Sequence, residues 1–257
     1  MFPILFHIGE VAVHSYGFFI AVGYIIALIV MLRAGRADGI SNSNIVDMTF
    51  FSLLTGIIGA RILFVLTNIS YFWKFPIEAL YLWQGGLVFY GGLATAIPFL
   101  FFYIKKNALP RKKVFDVLCL GLTIGHAFGR IGCLGAGCCH GSLCNLPWAI
   151  QIHSGLVDPL LIDSPIHPTQ AYESIALFLL FFVLFWIRKR RSFDGQIAVV
   201  YLIAYSLIRI FVEYFRGDSI RGFLIPQILS TSQAISILVF FYSLWLYREW
   251  SKGSVTS

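Results

Sequence analysis

Seven apolar runs alternate with polar connections along this chain. Each approaches the roughly 17–25 residues that cross about 30 Å of hydrocarbon as a helix. They fall at Tyr16–Leu32, Ile45–Thr67, Leu87–Ile104, Val114–Leu134, Thr169–Ile187, Gln196–Phe215 and Ser232–Tyr247. Pro98 interrupts the third, a break that membrane helices tolerate. Two connections are long, Asn68–Gly86 and Gly135–Pro168. The pattern predicts an all-α integral membrane protein: seven transmembrane helices in a single domain over residues 1–257.

Composition agrees with that reading. The 257 residues are 58% hydrophobic and 12% charged, with a mean hydropathy of +0.82, whereas a soluble domain is about 45–50% apolar and about 25% charged. Met1–Ser15 has no Lys or Arg and no clear cleavage site, so it does not read as a secretory signal peptide.

The formal net charge of +7 would suggest anionic partners in a soluble protein, but its distribution gives it another meaning here, and no nucleic-acid partner is implied. Alternate connections carry Arg33 and Arg36; Lys105, Lys106, Arg111, Lys112 and Lys113; Arg188, Lys189, Arg190 and Arg191; and Arg248 and Lys252. The opposite side carries only Lys74, Arg216 and Arg221. Since cytoplasmic loops collect Lys and Arg, the N-terminus is expected outside and the C-terminus in the cytoplasm. Residues 135–168, without Lys or Arg, then form an external cap between spans four and five. Asn68–Gly86 is external too, and its Tyr71, Phe72, Trp73, Phe75, Tyr81 and Trp83 suit a segment lying among headgroups.

Arg61, Arg130 and Arg209 break the apolar pattern. An arginine near the bilayer centre costs about 2.5–3.5 kcal/mol on insertion scales, so these three must face the bundle interior and find partners. Arg209 and Glu213 are four apart, with Tyr205 one turn earlier, and share a helix face. One reading is a structural ion pair joining helices. The other is a site for an anion: Glu173 and Glu213 are the main acids near spans, which leaves positive charge in surplus, and the planar guanidinium fork suits phosphate. At that depth the abundant phosphate belongs to phospholipid headgroups.

Other features stay open between packing and chemistry. Gly121, Gly125 and Gly129 form a four-residue ridge of the kind that lets membrane helices approach closely. Gly85-Gly86 and Gly91-Gly92 bracket the mouth of the third span, as close packing or as a re-entrant turn. Cys133, Cys138, Cys139 and Cys144 cluster with His140 at or beyond the outer end of the fourth span. They read as a disulfide on an oxidising face, as small loop residues, or as a metal or thiol site, although adjacent Cys138-Cys139 lacks the CxxC spacing of zinc sites. His126, four before Arg130, reads as a packing histidine or a proton carrier.

In ordered pieces the chain resembles the phosphatidylglycerol–prolipoprotein diacylglyceryl transferases of the bacterial inner membrane. The pieces are His14-Ser15-Tyr16-Gly17; Gly59-Ala60-Arg61; Trp83-Gln84-Gly85-Gly86 with Gly91-Gly92-Leu93; Gly129-Arg130-Ile131-Gly132 through Gly137 and Gly141; His167-Pro168-Thr169-Gln170-Ala171-Tyr172-Glu173; and Tyr205, Arg209, Glu213 and Arg216. The resemblance implies transfer of the diacylglyceryl group of phosphatidylglycerol to the cysteine thiol of a prolipoprotein signal peptide, forming a thioether and releasing glycerol phosphate. It implies no metal or organic cofactor, and a multi-pass location in the inner membrane. It also implies roles: Arg130 on the phosphate, Arg209 on the headgroup with Tyr205 and Glu213 positioning it, Tyr16 in the cavity and Gly141 at its mouth. Arg61, His167 and Glu173 join the substrate-binding set. Tyr90 stands where the family pattern has the histidine proposed to activate the thiol, and a tyrosine is the poorer base at neutral pH. Cys133 and Cys138 replace an Asn and a Glu of the family signature. Rival readings are a phospholipid or small-anion transporter using the same arginines, and a metal or redox membrane protein built on the Cys133–Cys144 cluster.

Overall fold

The computed structural model describes residues 2–9, 11–82, 85–153, 161–217, 223–225 and 228–252. Trp83, Gln84, Arg221 and the stretch 154–160 of the expected cap lie outside the described residues. All seven apolar runs are helical: α1 (Ser15–Ala37), α2 (Asn42–Thr67), α4 (Phe89–Lys106), α5 (Arg111–Ala136), α6 (Thr169–Arg188), α7 (Gln196–Glu213) and α8 (Thr231–Lys252). Between α2 and α4 lie the short α3 (Ile69–Phe72) and a 3-10 turn over Pro76–Leu80. Five helices, α1, α2, α5, α6 and α7, are long and apolar enough to cross a membrane, as expected of a multi-pass integral membrane protein. In α4 the terminal Lys105-Lys106, and in α8 the polar run through Arg248, Glu249 and Lys252, dilute the hydropathy.

Two small hairpins were not foreseen. Strands β1 (Ile4–Ile8) and β2 (Val11–His14) pair antiparallel ahead of α1, and β3 (Phe223–Ile225) pairs with β4 (Leu229–Ser230) ahead of α8. Both are too short to register in a search for spans. They satisfy backbone amides in segments that enter helices.

The chain forms two compact units, residues 32–114 and residues 1–31 with 115–257. In the smaller unit α2 packs on α4 through glycine. A Cβ on Gly91 would stand 2.4 Å from the Gly59 carbonyl oxygen, so the two backbones touch. Thr95 Oγ1 donates to the Thr55 carbonyl across the same seam at 2.8 Å.

In the larger unit α1 meets α5. A Cβ on Gly23 would lie 2.8 Å from Phe128 Cβ, and one on Gly121 would lie 2.3 Å from the Met31 side chain. The expected ridge on α5 therefore packs at Gly121 and Gly125 but not at Gly129, around which a Cβ would find nothing within 4 Å. Asp116, fully buried near the start of α5, accepts the backbone N–H groups of Gly195 (2.8 Å) and Ala198 (2.9 Å). A carboxylate at a helix N-terminus satisfies orphan donors and the dipole together, which ties α7 to α5. Ser174 Oγ of α6 donates to the Ala127 carbonyl of α5 at 3.0 Å.

The described residues between α5 and α6 form a small irregular β structure. Ile150 pairs with Ile166, and Ile152 and Ile166 form a buried core with Ile150 and Leu161 against it. A strap then joins three chain segments. The Gly141 N–H donates to the His167 carbonyl (3.1 Å), Ser142 N–H to Phe215 (2.9 Å) and His167 N–H to Ser142 (2.9 Å).

Candidate functional site

Glu173 is the hub of the larger unit. It stands in the second turn of α6 and its side chain is 1% exposed. An isolated carboxylate so placed would cost several kcal/mol, and four groups from two other helices meet it. From α5, Arg130 Nε lies 3.0 Å from Oε2 and His126 Nε2 lies 3.7 Å from Oε1. From α7, Tyr205 donates its hydroxyl to Oε1 at 3.2 Å, and Arg209 Nη1 lies 3.8 Å from Oε2.

Spacing explains the convergence. His126 and Arg130 are one turn apart on α5; Tyr205, Arg209 and Glu213 are successive turns of α7, so each helix offers one polar stripe. Arg209 Nη2 is held at 2.8 Å from Glu213 Oε2 and donates to Ser232 Oγ at 3.0 Å. The expected Arg209–Glu213 pair is present. The Tyr205 ring stacks on Tyr201 with an interplanar angle of 4° and meets the His126 ring edge-on.

The charge surplus read from the sequence is smaller here than expected, because the two arginines meet two acids: Glu173 faces both, and Glu213 faces Arg209. What remains is geometric. Arg130 turns Nε toward Glu173 as an ion pair without hydrogen-bond alignment, and no described residue bonds its two terminal nitrogens. That pair is the half of the guanidinium that grips a phosphate bidentately.

Around the hub stand the other expected residues of this unit. Tyr16, half exposed in the first turn of α1, sits where α1 crosses the end of α5, since a Cβ on Gly132 would come within 3.2 Å of the Tyr16 carbonyl. Gly141 has no room for a side chain: a Cβ would lie 2.4 Å from His167 Cβ and 2.8 Å from the Phe215 carbonyl. The His167 ring packs on Phe215 and its Nδ1 lies 3.3 Å from the Tyr172 hydroxyl, which in turn accepts from Trp148 Nε1 at 2.7 Å.

The cysteines stand beside this cluster. All five are unbridged, and Cys133, Cys138 and Cys139 bring their sulfurs within 4.8 Å of one another, while Cys144 is not among them. Hydrogen bonds from Cys133 and Cys138 hold the Cys139 thiol well below its ordinary range, helped by the guanidinium groups of Arg216 and Arg130. The Cys138 thiol is pushed up by bonding to the Cys133 and Cys139 sulfurs and by burial. Sequence reasoning quoted Gln170 and Thr169 within the family-like stretch but gave them no role: Gln170 Nε2 donates to the Cys138 carbonyl at 2.7 Å, and Thr169 Oγ1 to the Cys139 carbonyl at 3.0 Å. It also missed Ser232, for which the only sequence signal was a polar start to α8.

Arg61 and Tyr90 belong to the smaller unit. Arg61 gives its donors to backbone: Nε to Ala79 (2.9 Å), Nη2 to Glu78 (2.6 Å), and Nη1 to Gly85 (2.6 Å) and Gly86 (3.2 Å). Gly85 and Gly86 both have positive φ, +81° and +73°, the left-handed turn that aims their carbonyls at the guanidinium. Its face also meets the Phe64 and Phe72 rings. Tyr90 opens α4, is 53% exposed and lies edge-on to Phe89.

Known proteins set this geometry in context. The family profile described as prolipoprotein diacylglyceryl transferase matches residues 3–248. A phosphatidylglycerol–prolipoprotein diacylglyceryl transferase of Clostridium tetani is 32% identical over 248 residues, covering 96% of this chain and 97% of that protein. Its counterpart in Finegoldia magna is 32% identical over 255 residues, covering 99% and 98%. One from Lactobacillus delbrueckii is 30% identical over 254 residues, covering 96% and 91%. With the profile spanning nearly the whole chain and relatives 30–32% identical over nearly the full length of both chains, this chain belongs to the prolipoprotein diacylglyceryl transferase family.

Proposed function

We propose that the chain transfers the diacylglyceryl group of phosphatidylglycerol to the cysteine thiol of a prolipoprotein signal peptide. The observation that carries this reading is the pair of buried guanidinium groups, Arg130 and Arg209, gathered on Glu173 in a chain of this family. In the reaction the bond between the glyceryl carbon and the phosphate oxygen breaks, a carbon–sulfur bond forms, the thiol gives up its proton and glycerol phosphate leaves. Charge builds on the departing phosphate, and fixed donors aimed there lower the barrier.

Arg130 presents its terminal nitrogens to the phosphate while Glu173 holds its Nε, so the fork is oriented before substrate arrives. Arg209, fixed by Glu213 and Ser232, works on the headgroup, and Tyr205 steadies Glu173 from the other side. Tyr16, Gly141 and His167 shape the surroundings. Arg61 orders the segment around Gly85-Gly86, and Tyr90 takes the position of the family's thiol-activating histidine. The nucleophile is the peptide's cysteine, not one of this chain's, and phosphate is a competent leaving group without a cofactor.

The setting is the bacterial inner membrane. The seven helices are proposed as spans of one membrane domain, with α4 and α8 crossing as well, the N-terminus outside, the C-terminus in the cytoplasm and residues 135–168 as an external cap. The test is reconstitution of the purified chain into phosphatidylglycerol vesicles with a signal peptide carrying the target cysteine. A peptide mass increase of one diacylglyceryl group is expected. Movement of phosphatidylglycerol across the bilayer with no peptide adduct would favour a transporter instead.

A further inference from the structure

The three sulfurs beside Arg130 have a geometry that the transfer reaction does not use. Adjacent cysteines normally point apart, which is why Cys138-Cys139 makes a poor metal motif on spacing alone. Here Cys139 has φ +62° and Gly137 has φ +74°. A left-handed conformation in a residue with a Cβ is strained and persists only where its surroundings impose it. Its effect is to double the chain back, so that both thiols return to Cys133 at the end of α5 and all three sulfurs lie within 4.8 Å of one another. The carbonyls of the two residues are pinned by Gln170 and Thr169 from the start of α6, so the turn is held from a second helix.

We propose that Cys133, Cys138 and Cys139 form a three-thiolate site for one thiophilic d10 cation of the zinc class. Three sulfurs about one zinc at about 2.3 Å would stand about 3.8–4.0 Å apart, so the observed cluster needs to close by less than about 1 Å. Three metal–sulfur bonds form to three thiolate sulfurs, any thiol protons still bound pass to water, and a divalent ion then leaves one net negative charge. Arg130 and Arg216 supply the compensating field, since both act electrostatically on Cys139. Soft thiolates select zinc-class and cuprous ions over magnesium or calcium. His140, next in sequence, turns its Nδ1 onto the Gly141 carbonyl (3.0 Å) and is not one of the ligands. The ion would clamp the end of α5 to the turn that leads into the Gly141 strap, a role independent of the transfer chemistry.

The test uses the full chain in detergent, reduced, freed of reductant and equilibrated with zinc. One ion per chain is expected after dialysis, with a thiolate-to-metal charge-transfer band when cadmium replaces zinc. Binding should survive in Cys119→Ser and Cys144→Ser and be lost in Cys133→Ser, Cys138→Ser and Cys139→Ser. Alkylation mapped by peptide mass keeps the test independent of how the variants fold. In the wild type, zinc should protect those three thiols and leave Cys144 reactive, and a chelator should restore reactivity. No retained ion, equal binding in the three variants, protection that does not distinguish Cys144, or a disulfide among the three in the reduced protein would each overturn the proposal.

Discussion

A carboxylate that serves two guanidinium groups has no neutral substitute. Glu173→Gln would leave Arg130 without its acid and Arg209 with Glu213 and Ser232, whereas Glu213→Gln leaves Arg130 its acid and Arg209 both Glu173 and Ser232. Breaking a buried pair from one side costs about 3–5 kcal/mol. Thermal unfolding in detergent should therefore show Glu173→Gln as clearly the more destabilised of the two. Tyr90 makes a different prediction. If it handles the thiol proton, Tyr90→His raises the transfer rate at neutral pH and Tyr90→Phe lowers it, because imidazole is the better base there; equal rates in all three would remove Tyr90 from the chemistry. At this scale the Arg209–Glu213 pair could be read directly, since helix geometry alone fixes neighbours four residues apart. Arg61 could not. It looked like its two counterparts, yet its partners are carbonyls 17 to 25 residues away, two of them aimed by left-handed glycines that no hydrophobic pattern reveals.

Elements carry their own test through two glycines of the same signature stretch. A Cβ at Gly141 would collide with His167 and Phe215, breaking the strap that joins the ends of α6 and α7. Gly141→Ala should lower stability by about 1–3 kcal/mol as an overpacked site. Gly129→Ala meets open space and should be neutral, or gain up to about 1 kcal/mol from helix propensity. Melting curves of the two variants against the wild type decide it. All seven helices were legible because length and hydropathy alone define such segments. What did not follow was their rotation: Arg130 and Arg209 share Glu173 only because α5 and α7 turn their polar stripes toward α6, and packing decides that. The hairpins β1–β2 and β3–β4 escaped for a simpler reason, being pairs of strands two to five residues long without a span's signature. The turn at Cys139 was hidden in the same way, because spacing says nothing about φ.

At the scale of the molecule, the basic connections predict a topology. Lys105–Lys113 and Arg188–Arg191 should face the cytoplasm, and the Gly135–Pro168 segment should face outward. Single cysteines introduced at Asn107 and Asn145 should label oppositely with a membrane-impermeant maleimide in intact cells, Asn145 reacting and Asn107 protected; the reverse would invert the assignment. The central claim is narrower: a guanidinium fork, oriented by a buried carboxylate, meets the phosphate of the lipid donor as it leaves. The initial rate of thioether formation by Arg130→Ala, in phosphatidylglycerol vesicles with the cysteine peptide, tests it most directly. Removing a donor of this kind typically costs about 10²–10³ in rate, and a fall of that size is expected in a variant that remains folded. A folded Arg130→Ala protein that makes thioether at the wild-type rate would contradict the account.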